Sequence, residues 1–177
     1  RIATNELLVR DYFSPDSLYD LSKFEDHFCI SRNLFLCIAR DFENNYEFFQ
    51  LRWDGRGIRG FTTLQKCTSA LRQLAYGIVA DASDEYLKMS ARTGRECTYL
   101  FCEYVIQLYG DIYLWNLTRS DVEQLYAAHQ DKHGFAGMLG NLDCTHWVWE
   151  NCPNVWWWQF TWGDHGVPTV ILETVVS

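Results

Sequence analysis

The sequence predicts an α+β fold in which a long helical portion precedes a short pair of strands. Three observations carry this. Leu64, Cys67, Leu71, Leu74 and Ile78 recur near the helical period and define one buried stripe. Thr62 with Gln65, and Thr118 with Asp121, have the spacing of a capping box and mark two helix starts. Near Met138 the pattern changes: residues Met138 to Glu150 and Pro168 to Val176 are rich in apolar, aromatic and β-branched side chains and read as strands. Gly163-Asp164-His165-Gly166 reads as a turn between them, so an antiparallel pair is the simplest arrangement.

The elements follow in order. Arg1-Ile2-Ala3-Thr4-Asn5 lacks a starting Met and a signal-peptide pattern, and reads as an internal cut in a longer protein. Pro15 and Asp16 open an apolar-periodic stretch through Leu18, Leu21 and Phe24. Ser31 can cap a helix with Leu34, Phe35 and Ile38 on one face. Asp54 to Gly60 hold three glycines and two arginines, the composition of a flexible basic loop. After the Thr62 helix, with Gly77 near its end, Asp84 to Met89 can form a short second helix. Ser90 caps a third, with Cys97, Leu100, Phe101, Tyr104, Val105 and Leu108 on one face and Gly110 as its end. The Thr118 helix carries Val122, Leu125 and Tyr126. Residues 1–60, 61–135 and 136–177 are the three expected regions.

A length of 177 residues points to one domain, with room for a helical appendage. Apolar residues make up 48%, enough for a core, and no run of uncharged apolar residues is long enough to span a membrane. Seven cysteines, an odd number without secretory marks, favour reduced thiols in a cytosolic or nuclear setting. The net charge of -8 argues against a simple nucleic-acid binder. The segment from Arg52 to Arg95 is locally basic, with eight Lys/Arg against four Asp/Glu. It is either a phosphate-contacting stretch or a solvated helix surface, and charge alone favours the second.

Gly140-Asn141-Leu142-Asp143-Cys144-Thr145-His146-Trp147 is followed by Asn151-Cys152-Pro153 and by Gly163-Asp164-His165-Gly166-Val167-Pro168. Leu64-Gln65-Lys66-Cys67-Thr68, Leu74-Ala75-Tyr76-Gly77, Ala80-Asp81-Ala82-Ser83-Asp84-Glu85-Tyr86-Leu87 and Phe135-Ala136-Gly137-Met138-Leu139-Gly140 precede it. Together these segments resemble the plant PIF/Harbinger transposase-like family, from about Phe24 to Ser177. The resemblance implies a ribonuclease-H-like (DDE) nuclease core, here incomplete, of which Asp143 is the first catalytic and metal-ligating carboxylate and His146 the His that follows it. It implies a divalent Mg²⁺ or Mn²⁺ cofactor, DNA as substrate, a Myb-like nuclear protein as partner and a nuclear location. It also implies that the remaining carboxylates come from a later strand and helix, beyond Ser177. Two metal ions roughly 3.5–4 Å apart need several converging acids, and one Asp cannot hold them. The expected function is therefore a transposase-derived protein related to metal-dependent DNA endonucleases, inactive as this chain. The alternative is a domesticated, non-enzymatic DNA- or protein-binding module, and a decayed product with no function is the third outcome.

The chain departs from the family where basic residues tend to follow Asn151-Cys152-Pro153: it has Trp156, Trp157, Trp158 and Trp162, and Val167 where a Lys is common. Decay of an enzyme, a gained protein-binding face and base stacking each explain this, in that order of preference. The segment from Thr62 to Gly110 resembles a helix-turn-helix, with Ser90 to Leu108 as recognition helix. Arg92 and Arg95 in its first turns oppose the helix dipole and are the main candidates for DNA contact, with Lys66 and Arg72 from the same basic stretch. The competing reading sends both arginines to water or to Asp84 and Glu85. Cys144, His146, Cys152 and His165 supply zinc-ligand types, but their spacing fits no closed finger, and packing is the preferred reading.

Overall fold

The computed structural model describes residues 1–77, 82–114, 116–150, 152–163 and 166–176, and the side chains of these except 82–84 and 172–176. The chain divides into two compact units, Arg1–Trp115 and Asn116–Ser177. Residue 60, expected as a region edge, lies inside the first unit.

The first unit is helical. Helix α1, Ile2–Leu8, runs into a π-helical turn, Val9–Phe13; then come α2, Leu21–Phe28, α3, Arg32–Asn45, α4, Thr63–Tyr76, α5, Ala82–Leu87, and α6, Ala91–Tyr113. Local chemistry sets most starts where the sequence places them. Ser31 accepts from the Leu34 N–H and Ser90 from the Thr93 N–H, while Thr62 and Gln65 close a reciprocal capping box. Gly77 ends α4 in the left-handed region, φ 61°, which costs glycine little. Three expectations are corrected. The Pro15-Asp16 stretch is not helical; α2 starts later, because Asp20 Oδ1 accepts the Lys23 N–H at 2.8 Å and so caps it. Gly110 does not end α6, which continues to Tyr113. A single glycine costs about 1 kcal/mol in a helix, too little to stop one anchored by buried Cys97 and Phe101. The basic loop is a closed turn: Trp53 bridges Arg59, and Asp54 Oδ1 accepts from the N–H groups of Arg56 and Ile58.

Helix α4 is the axis of this unit, packed by α1, α2, α3, α5 and α6. It therefore buries more than the single stripe its period predicts. Thr63, Gln65, Lys66, Thr68, Ser69 and Gln73 are buried with Cys67, Ala70 and Leu71. Burial of polar groups costs free energy unless they find partners, and most do. Thr63 donates to the Phe49 carbonyl at 2.7 Å, Gln65 to Thr4 Oγ1 at 2.9 Å, and Gln73 to the Gly94 carbonyl at 3.0 Å. Around this axis lies an aromatic core, with Phe24 stacked on Phe28 at 4.4 Å and Phe42 against Phe49 and Phe101 at 4.7 and 5.2 Å.

The second unit holds α7, Arg119–His133, strand β1, Asn141–Val148, the short α8, Trp157–Phe160, and strand β2, Thr169–Val176. The capping box of Thr118 with Asp121 is formed. β1 and β2 pair antiparallel, in register from Asn141↔Val176 to Val148↔Thr169, so the strand pair read from the sequence is present. The architecture is thus helix-rich α+β with a two-stranded antiparallel sheet.

Candidate nuclease-type carboxylate and basic helix

Asp143 is the third residue of β1 and is exposed. Side chains alternate along a strand, so Asp143, Thr145 and Trp147 share one face, and Leu142, Cys144, His146 and Val148 the other. Asp143 and His146, paired by the sequence reading as catalytic residues, therefore do not converge. His146 is tied across the sheet: its Nδ1 lies 3.0 Å from Oγ1 of Thr169, itself only 2% exposed, and its ring meets Trp162 edge-on at 5.8 Å. His146 pairs with Ile171, two residues from Thr169, the diagonal neighbour that lies on the same face. The geometry gives His146 the work of closing the hairpin.

The register sets Asp143 against Thr174 and Glu173 against Cys144, so Glu173 does not stand opposite Asp143. Asp164 lies outside the described residues. Among the described residues, no three His, Cys, Asp or Glu side chains come together where a metal ion fits. The described acids therefore do not match the ligand set of a two-metal site. The zinc candidates fare similarly: Cys144 and His146 share a face, Cys152 is buried with its Sγ toward the Pro153 carbonyl at 3.6 Å, and His165 lies outside the described residues. Beside the hairpin, Trp149, Trp156 and Phe160 form a ring cluster with centroids 5.2 to 6.5 Å apart. Trp158, by contrast, is 84% exposed.

The four basic residues singled out by sequence divide into two pairs. Lys66 is buried, and its Nζ donates to the carbonyls of Phe48 and Gln50 at 2.7 and 3.1 Å and lies over the Phe48 ring. Burial holds its pKa below the usual lysine value. Arg72 donates from Nη2 to the Tyr12 hydroxyl at 2.7 Å and lies over the rings of Tyr12, Phe28 and Tyr86. Both cations are engaged within the fold, Lys66 buried and Arg72 half-buried. Arg92 and Arg95 are exposed at the start of α6 and make no hydrogen bond or ion pair among the described residues. Asp84, one of their proposed partners, has no described side chain, and Glu85 does not pair with either.

Sequence reasoning missed a second polar cluster. Asp11, 5% exposed, accepts from the Tyr86 hydroxyl at 2.8 Å and from Arg10 at 3.1 Å. The Tyr12 oxygen sits between Arg72 and His27 Nδ1, 2.8 Å away. These residues come from four separate elements, and no local spacing announces them.

Residues 111–177 match a family model described as plant transposon protein, and residues 5–43 match one described as a domain of unknown function. No curated protein and no solved structure matches the chain. The plant transposon match ends on the strand pair and contains Asp143, so over its second unit the chain is similar to plant transposon proteins, which supports a transposon-related protein.

Proposed function

We propose that the chain derives from a PIF/Harbinger-type transposase, with Asp143 in the position of the first carboxylate of a DDE nuclease and β1–β2 as the opening of a ribonuclease-H-like core. The observation that carries this reading is the plant transposon match over residues 111–177, which contains an exposed strand carboxylate in an antiparallel pair. Cleavage of DNA by such a site takes Mg²⁺ or Mn²⁺ held by several acids. A lone strand carboxylate cannot hold such a pair of ions, so the expectation is that the 177-residue chain by itself does not cut DNA. Incubation with duplex DNA and Mg²⁺ or Mn²⁺ tests this. No cleavage above background is expected; cleavage abolished by Asp143→Ala would overturn it.

A second reading, a non-enzymatic nuclear binding module, is supported by the exposed Arg92 and Arg95 on α6, the helix that the sequence resemblance takes as the recognition helix of a helix-turn-helix. In its DNA form, binding weakens as salt rises and is lost in an Arg92→Ala/Arg95→Ala double variant. In its protein form, binding is indifferent to salt and to both arginines and runs through the tryptophans, of which Trp158 is 84% exposed.

A further inference from the structure

The outer face of α6 carries a pattern that neither the carboxylate nor the fold requires. Opposite the buried line Gly94, Cys97 and Phe101, the helical period brings Arg92, Arg95, Tyr99, Glu103 and Ile106 to one side. Tyr99 is 70% and Ile106 62% exposed. Arg92 and Arg95 are without an ionic partner among the described residues. Glu103 is likewise without a cation. Its Oε1 accepts from Gln107 Nε2 at 3.2 Å, and Gln107 Oε1 in turn accepts from the Tyr46 hydroxyl at 3.3 Å. That chain of contacts orients the carboxylate without neutralising it. Arg95 and Glu103 are separated by about 12 Å along the axis, at a rise of about 1.5 Å per residue, so they cannot satisfy each other within one helix.

Along the face, charge runs from positive, through an aromatic, to negative and apolar. Glu96 beside the arginines leaves that end net positive. A surface of this order is complementary to itself when reversed. We propose that the outer face of α6 binds a second copy of this chain, the two helices running antiparallel about a two-fold axis near Tyr99. The Arg92/Arg95 end of each helix then lies over the Glu103 end of the other, and the Ile106 side chain meets the aliphatic stems of the arginines. A parallel pair would set arginine on arginine. Self-complementarity of this kind is what a two-fold interface demands. A single helix pair is smaller than the interface of about 1,600 Å² typical of stable complexes, so the dimer is reversible and weakens with salt. The proposal rests on the binding-module reading, with α6 in place of the tryptophans as the protein-facing surface.

Sedimentation equilibrium of the 177-residue chain over a range of concentrations tests it, with helical circular dichroism as the check on folding. Wild type self-associates. Arg92→Glu/Arg95→Glu and Glu103→Arg each weaken self-association on the order of tenfold or more, because like charges then face each other. Mixing the two variants restores dimers, since the inverted ends now match. A wild type that stays monomeric, or a dimer indifferent to both variants, overturns the proposal. So does a monomer that binds duplex DNA through Arg92 and Arg95, which would leave the module reading standing and give the face to nucleic acid.

Discussion

Tyr12 has one hydroxyl proton, and its oxygen already accepts from Arg72 Nη2. The same oxygen lies 2.8 Å from His27 Nδ1, a hydrogen bond whose donor is set by the imidazole tautomer. Burial, then the nearby Arg72, then Lys23 hold the His27 pKa below its usual value, with Asp26 acting the other way. The unfolded chain takes up this proton at about pH 6.5, before the folded chain does, so acid favours unfolding. The His27 contribution to stability is complete above about pH 6.5 and falls as the pH drops from there through the folded-state value. Urea titrations at several pH values should show that loss, and His27→Gln, which keeps an acceptor without titrating, should flatten it. At Gly60 an added Cβ would sit 2.8 Å from the Arg52 carbonyl oxygen. Both atoms are fixed by the Gly60 N–H to Arg52 carbonyl bond of 2.7 Å. Gly60→Ala should cost about 1–3 kcal/mol, the usual range for overpacking, read as a lowered urea midpoint. The burial that pushes the Cys97 thiol up to about 12, and the Cys67 thiol higher still, leaves both protonated at neutral pH, which makes them packing residues.

Among the elements, helix starts were legible because a cap is a contact between residues three apart. Ser31, Thr62, Ser90 and Thr118 all cap where the spacing says. Thr62 also donates to Asn5 Oδ1 at 2.6 Å, so Thr62→Ala should remove a cap and a link to α1. The expected cost is about 1–2 kcal/mol, seen as a reduced thermal midpoint. What the period could not give was the depth of α4. Its amphipathic stripe announces one buried side, but five helices surround it, and that is a property of tertiary packing. For the same reason Lys66 and Arg72, which read as a basic surface, are held inward by Phe48, Gln50 and Tyr12. Net charge along a sequence does not say which cations the fold uses for itself.

For the whole molecule, the buried aromatic cluster lies entirely within residues 1–115. That segment expressed alone should fold cooperatively, with helical circular dichroism and a single thermal transition. Phe42→Ala in it should cost about 3–5 kcal/mol. The strand pair of the second unit was readable from β-branched runs flanking a turn. The relation of Asp143 to its neighbours was only half readable: alternation already separates it from His146, whereas the register that sets Thr174 opposite it depends on the folded hairpin. Among the described residues Asp143 stands without the further acids of a metal centre. Titration of the 177-residue chain with Mn²⁺, followed by the electron paramagnetic resonance of the free ion, measures this directly. The expected result is weak uptake that is unchanged by Asp143→Asn. Two tightly held ions per chain, lost together in that variant, would contradict it.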